Sequence, residues 1–228
     1  MDATLTSDTT IGKIAADHPL ATRVFARHQI DYCCGGGRPL GEVCLARGLD
    51  PDRVLQEIGA EISPEPRPVE RWVDASLPDL IDHILTVYHQ PLHEELPRLE
   101  AMARKVVRVH GDKDPERLPE LLSVYLALEA ELEDHMQKEE MVLFPMIRRG
   151  EARSARGPVA VMLREHNDAG LALRRLRELT GDYTVPDGAC STWRALWHGL
   201  AALESAMHEH IHLENNILFA RATTEPAA

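Results

Sequence analysis

The sequence has few aromatic residues, few cysteines and no long apolar run. Aromatic residues make up 4% of its 228 residues, and no apolar stretch approaches the about 18 residues that a membrane-spanning helix needs. Residues 1–10 also lack the basic start and the apolar centre of a signal peptide. Four cysteines in a chain of this length do not indicate a disulfide framework. We therefore expect a cytoplasmic protein without a membrane span.

Positive charge is also scarce, because 25 Lys and Arg residues against 37 Asp and Glu residues leave a net charge of −12. This balance disfavours nucleic acid and anionic membrane surfaces as partners. The sequence has no Ser-His-Asp arrangement, phosphate loop or dinucleotide fingerprint, so hydrolases and nucleotide enzymes are disfavoured as well. Charged residues nevertheless reach 27%, and together with runs of Leu, Ala, Glu and Arg they predict an all-α fold.

Two His-x-x-x-Glu pairs, His135 with Glu139 and His210 with Glu214, are the most informative pattern. Each pair is preceded by an acidic residue and followed by a Leu-Phe step at the same distance. Residues four apart share one face of a helix, so each pair directs an imidazole and a carboxylate the same way. Such pairs are usually solvated neighbours, but the repetition within apolar stripes favours a metal site. Mixed nitrogen and oxygen donors suit iron, manganese or zinc.

The chain divides into two predicted domains joined by a proline-rich linker. Residues 8–62 are predicted to form a small helical module around the loop Asp31-Tyr32-Cys33-Cys34-Gly35-Gly36-Gly37, where three glycines do not continue a helix cheaply. The alternate prolines that follow hold the backbone extended, which assigns residues 63–74 to the linker. Residues 75–222 then form the larger domain.

The larger domain is predicted to be an antiparallel four-helix bundle. Apolar residues recur every three or four positions in four stretches, so each helix has one core face. Short loops join the four helices, which implies antiparallel neighbours. The predicted helices cover about residues 76–109, 117–149, 157–180 and 189–221. Pro91 should kink the first of them just after His89.

Distances from the connecting loops place the core-facing histidines at one level of this bundle, at a rise of about 1.5 Å per residue. The loop between the third and fourth helices fits less well, which we interpret as the fourth helix starting lower than the third ends. Six candidate ligands share this level: His89, His135, His166, His210, Glu139 and Glu214. They are too many for one tetrahedral zinc ion. They suit two metal ions, each held by two imidazoles and bridged by both carboxylates.

The double-cysteine loop combined with two His-x-x-x-Glu pairs is a specific combination. The segments that carry it are Asp31–Gly36, 88–89, 135–139 with 143–146, 165–166 and 210–215. From about residue 8 to residue 221, the chain resembles the iron–sulfur cluster repair di-iron family (Repair of Iron Centers). Members of that family join a small N-terminal cysteine domain to a hemerythrin-like bundle.

The resemblance implies a non-haem di-iron protein that restores iron–sulfur clusters damaged by nitrosative or oxidative stress. It implies two iron ions with oxo and carboxylate bridges, in which Glu139 and Glu214 bridge. The terminal ligands it implies are His89, His135, His166 and His210. The expected partners are damaged iron–sulfur proteins or their assembly scaffold, and the expected state is a monomer or a homodimer.

Iron supply, rather than enzymatic turnover, is the leading interpretation. One alternative is a protein that binds or reduces nitric oxide or oxygen, which as an enzyme would be a nitric oxide reductase. Another is an iron-sensing module that a partner reads through the cysteine loop. Removing the cysteine domain at Pro64 discriminates between them, because gas chemistry should survive the removal.

Four further residues are candidates for a role near the metals. Glu131 is four residues before His135 and Glu165 adjoins His166, so they are candidates for a polar inlet or for orienting an imidazole. The alternative is that both residues are exposed carboxylates without a role at the metal site. Cys33 and Cys34 are candidate redox or partner-facing thiols, because a bond between adjacent cysteines is strained and labile. The alternative is that neither thiol has a functional role.

Overall fold

A computed structural model of the chain describes residues 5–62 and 72–224. These residues form helices and no β-strand, apart from one bridging pair between Thr10 and Pro39, so the predicted all-α fold is confirmed. None of the described helices is long and apolar enough to cross a membrane. Residues 63–71 of the predicted linker lie outside the described residues. The described residues form two compact units: those of 5–80 together with 208–224, and Ile81–Met207.

The first unit contains four short helices that surround a small apolar core. They are α1 (Ile11–Asp17), α2 (Ala21–Arg27), α3 (Leu40–Ala46) and α4 (Pro51–Glu61). The side chain of Asp50 accepts a hydrogen bond from the Asp52 amide at 3.0 Å, which caps α4. The core includes the fully buried side chains of Ile14, Phe25 and Ile58. Burial of this kind is the main favourable contribution to folding.

Four long helices make up the rest of the chain, and three of them contain a π-helical segment. The first is α5 (Leu77–Ile84), π1 (Leu85–His89) and α6 (Gln90–His110); the second is α7 (Arg117–Lys138), π2 (Glu139–Leu143) and α8 (Phe144–Arg148); the third is α9 (Ala152–Leu179); the fourth is α10 (Ser191–His212), π3 (Leu213–Leu218) and α11 (Phe219–Ala222). The third helix begins earlier than the predicted residue 157, because it continues through Pro158.

The π segments explain two features of the sequence. The predicted distortion near Pro91 takes the form of π1, and π2 likewise ends two residues before Pro145. A widened turn moves the carbonyl that would clash with the proline ring. In the repeated His-x-x-x-Glu motif, the Phe144 amide bonds to the Glu139 carbonyl and the Phe219 amide bonds to the Glu214 carbonyl. The repeated Leu-Phe step therefore closes a π turn in both copies.

Neighbouring helices of the second unit run antiparallel. Tyr125 of α7 donates to the Leu96 carbonyl of α6 at 2.8 Å, and Arg175 of α9 pairs with Glu120 of α7 at 2.6 Å. The ends of α6 and α10 meet where His110 Nε2 lies 3.2 Å from Cys190 Sγ.

The third and fourth helices are offset along their axes. Arg177, in the last turn of α9, pairs at 2.8 Å with Glu204, which lies more than three turns into α10 at about 3.6 residues per turn. The fourth helix therefore starts lower than the third ends, as the loop distances indicate.

Replacing Tyr125 with Phe removes one buried hydrogen bond and keeps the ring. We expect the free energy of unfolding to fall by about 1 kcal/mol. Replacing the buried Leu128 of the same helix with Ala should cost about 2–5 kcal/mol, because it also leaves a cavity. Urea unfolding followed by circular dichroism measures both losses. Equal losses in the two variants would contradict the hydrogen-bonding role of Tyr125.

Candidate metal centre

Three imidazoles and one carboxylate converge inside the second unit. The group consists of His89, His135, Glu139 and His166, and each residue is 3% exposed or less. Glu139 Oε2 lies 3.5 Å from His89 Nε2 and 3.4 Å from His135 Nε2. The Nε2 atoms of His135 and His166 are 2.9 Å apart. The four residues come from π1, α7, π2 and α9, so the packing of three long helices brings them together.

These separations fit a shared metal ion. Two ligand atoms that each lie about 2.1 Å from one metal are about 3.0 Å apart at a right angle and about 3.4 Å apart at a tetrahedral angle. His135 Nε2 lies at these distances from Glu139 Oε2 and from His166 Nε2. The donor set of imidazole nitrogens and carboxylate oxygen also suits a transition metal.

Two outer carboxylates orient the ligand nitrogens. His89 Nδ1 lies 2.8 Å from Glu140 Oε1, and His135 Nδ1 lies 2.9 Å from Glu165 Oε2. An ionised carboxylate only accepts hydrogen bonds, so in both imidazoles Nδ1 donates. Each neutral ring then presents the lone pair of Nε2 towards Glu139, which is the tautomer that binds a metal.

Glu165 is held in its charged form by its neighbours. Burial alone raises the pKa of this carboxyl, but hydrogen bonds from Lys138 and His135 outweigh it and leave the pKa below the ordinary value. Lys138 Nζ is 2.6 Å from Glu165 Oε1 and also 2.6 Å from Asp134. A charged acceptor strengthens the bond that fixes the ring of His135.

The second His-x-x-x-Glu pair belongs to the first unit. His210 Nε2 lies 2.9 Å from Glu214 Oε1, and both side chains are buried. Glu214 lies in π3, just as Glu139 opens π2. The two motifs thus have the same local structure, with a buried imidazole four residues before a buried glutamate.

A cavity of about 230 Å³ opens beside His135 and His166 in the second unit. Glu131 and Glu165 both line it, together with Asp134, Lys138 and Asp168. Of the two candidate inlet residues, only Glu165 has a hydrogen bond to a candidate ligand among the described residues. Glu131 is exposed and contributes to the lining alone.

Glu140 is a site residue that the sequence analysis missed. It follows Glu139 directly, and adjacent residues of a helix do not face the same way. Glu140 instead reaches the histidine of the neighbouring helix, His89. His93, four residues after His89, lies 3.8 Å from the same carboxylate and is half-exposed. A run of two glutamates after a ligating histidine is the signal that could have identified Glu140.

The double-cysteine loop is fixed by contacts within the first unit. Asp31 Oδ1 accepts hydrogen bonds from the amides of Cys34 at 2.9 Å and Gly35 at 3.3 Å. Asn216 of π3 donates to the Tyr32 carbonyl at 3.1 Å, and Asn215 donates to the Cys33 carbonyl at 3.3 Å. The loop is therefore bonded to the segment of helix that carries Glu214.

Asn216 fits between two glycines of the first unit. A Cβ atom on Gly12 or on Gly36 would collide with its side-chain oxygen. The Gly12 amide also bonds to the Gly36 carbonyl at 2.8 Å. The close approach of the Asn216 side chain therefore explains why Gly12 and Gly36 are glycines.

Cys33 and Cys34 are free thiols with different environments. Cys33 is buried, whereas Cys34 is partly exposed. The pKa of the Cys33 thiol lies well above its ordinary value because of its hydrogen bond to Cys34, its burial and the nearby Asp31 carboxylate. Burial also raises the pKa of Asp31, but the hydrogen bonds from Cys33, Cys34 and Gly35 outweigh it and lower the net pKa.

Two protein families match the chain. Residues 80–222 match the hemerythrin HHE cation binding domain, and residues 7–61 match a domain of unknown function, DUF542. The iron–sulfur cluster repair protein YtfE of Yersinia pseudotuberculosis (serotype O:1b) is 44% identical over 214 residues, which cover 93% of this chain and 95% of that protein. The protein of the same name from Yersinia pestis (strain Pestoides F) has the same identity and coverage.

Replacing Glu165 with Ala removes the acceptor of His135 Nδ1. We expect metal affinity to fall by about 10- to 100-fold, because carboxylates that orient ligating histidines contribute on that scale. Competition with a metal chelator measures it. Asp168→Ala is the matched control, because Asp168 lines the same cavity from the same helix. Equal affinities in the two variants would contradict an orienting role for Glu165.

Proposed function

Because the chain belongs to the iron–sulfur cluster repair family with a hemerythrin HHE cation-binding domain, we propose that it is a non-haem di-iron protein that supplies iron to damaged clusters. The family resemblance expected from the motifs is confirmed. The observation that carries the proposal is the convergence of three buried imidazoles on Glu139. Repair of this kind implies iron–sulfur proteins as targets.

The proposed ligands are all six residues of the predicted set: His89, His135, His166, His210, Glu139 and Glu214. Glu139 and Glu214 are the proposed bridges. The shared local structure of the two motifs supports this assignment. In each motif a buried glutamate lies in a π segment, four residues after a buried histidine. The hemerythrin match from residue 80 to residue 222 includes all six. Bound iron supplies redox activity and exchangeable coordination positions in such a site.

The cavity beside His135 is the proposed route for iron. Its lining includes four carboxylates and one ammonium group, which favours a hydrated cation. A neutral diatomic gas needs no such charge. This lining supports iron supply over gas chemistry, and the proposed recipients are damaged iron–sulfur proteins or their assembly scaffold.

The domain assignment is part of the same proposal. Residues 75–222 are the proposed iron-carrying domain, and residues 8–62 are the proposed cysteine domain. The matches to residues 80–222 and 7–61 support that division.

Metal content tests the di-iron assignment. We expect anaerobically purified protein to hold two iron ions per chain, with the Mössbauer signal of a coupled pair. His89→Ala should lose that signal, because it removes a buried donor. His93→Ala should keep it, because His93 lies four residues away and is half-exposed. One zinc ion in place of iron, or the same loss in both variants, would overturn the assignment.

Replacing Glu131 with Leu should slow the transfer of iron to a chelator, because it removes an acidic group from the proposed route. Glu133→Leu is the control, since Glu133 is also exposed and does not line the cavity. Stopped-flow absorbance gives the rates. An unchanged rate in Glu131→Leu would exclude this route without affecting the metal assignment.

A further inference from the structure

Three donor atoms of the cysteine loop lie close together in the first unit. Cys33 Sγ is 3.2 Å from Asp31 Oδ1 and 3.7 Å from Cys34 Sγ. Ligand atoms of all three residues lie within 4.8 Å of one another. None of the three belongs to the histidine–glutamate group of the proposed di-iron site.

The spacing of the two sulfurs fits a shared metal ion better than a disulfide. Two thiolates that bind one ion at about 2.3 Å in a tetrahedral arrangement have sulfurs about 3.8 Å apart. The observed separation is 3.7 Å. A disulfide requires about 2.05 Å, so the sulfurs would have to approach by more than 1.5 Å.

The backbone holds this arrangement from both sides. Asp31 accepts hydrogen bonds from the amides of Cys34 and Gly35. Asn215 donates to the Cys33 carbonyl, and Asn216 donates to the Tyr32 carbonyl. A preformed loop reduces the conformational entropy that ligand binding costs. The partial exposure of Cys34 gives the donors access to solvent.

We propose that Asp31, Cys33 and Cys34 form a second metal site, which binds a thiophilic divalent cation such as Fe²⁺. Two sulfurs and one carboxylate oxygen leave a fourth position for an exchangeable ligand. Binding forms two metal–sulfur bonds and releases the two thiol protons to solvent, without change of oxidation state. The site is inferred from the loop alone. A role for it as an intermediate binding site for iron that passes to a recipient protein rests on the proposed function.

Titration of the full-length, reduced protein with Co²⁺ tests this site, because cobalt bound to thiolate gives near-ultraviolet charge-transfer absorption. We expect one thiolate-bound Co²⁺ per chain and release of two protons. The Cys33→Ser, Cys34→Ser variant should lose the absorption. Cys190→Ser is the control and should keep it, although hydrogen bonds from the Trp193 and Thr192 amides lower the pKa of Cys190 and favour its thiolate.

Asp31→Asn should weaken cobalt binding by about tenfold or more, on the scale of losing one metal-site carboxylate. Circular dichroism checks that each variant is folded, and Cys34→Ser alone, at the partly exposed position, should reduce the absorption by about half. A wild-type titration without thiolate absorption would overturn the proposal. So would absorption that persists in the double cysteine variant.

The same titration in a Glu139→Gln variant separates this proposal from the di-iron assignment. Loss of iron with retained thiolate absorption supports two independent sites. Loss of the thiolate absorption in that variant would mean that the loop does not bind metal by itself.

Discussion

The fully buried carboxylate of Glu139 is the constraint on which the larger unit depends. An ionised carboxylate in a helical core costs several kcal/mol unless positive charge or hydrogen-bond donors face it. The Nε2 atoms of His89 and His135 face it with lone pairs rather than donors, because each of those rings donates through Nδ1 to an outer carboxylate. The acidic groups at the surface therefore determine which nitrogen each buried ring directs inward. A cation at the centre satisfies all of these groups at once.

The π segments connect this electrostatic requirement to the fold. Each π segment contains one proposed metal ligand. His89 is the last residue of π1, Glu139 is the first residue of π2, and Glu214 lies in π3. A π turn rotates the residues that follow it relative to a regular helix, and it costs stability. Such segments persist where function requires a particular side-chain direction. Prolines after π1 and π2 disfavour a regular α-helix at these points, because a proline lacks the amide donor and its ring clashes with the carbonyl four residues earlier.

The cysteine loop and the last long helix form a second connected structure. Asn215 and Asn216 follow Glu214 directly, and their side chains bond to the backbone of the loop. Gly12 and Gly36 provide the space for Asn216. A change in the conformation of π3 would therefore act on Cys33 through the hydrogen bonds from the Asn215 and Asn216 side chains to the loop carbonyls. In this way, the helix that carries a proposed bridging ligand also holds the thiols of the proposed second metal site.

Apolar periodicity was sufficient to predict the long helices and to place His89, His135 and His166 on their buried faces, because a helix face depends on residues three or four apart along one helix. Glu140, the π turns and the contacts of Asn216 were not predictable in this way. Glu140 bonds to a residue 51 positions away, and Asn216 bonds to one 184 positions away. Local sequence determined which side chains share a helix face. Only the tertiary structure decided which carboxylate meets which imidazole, because that pairing depends on how separate helices pack.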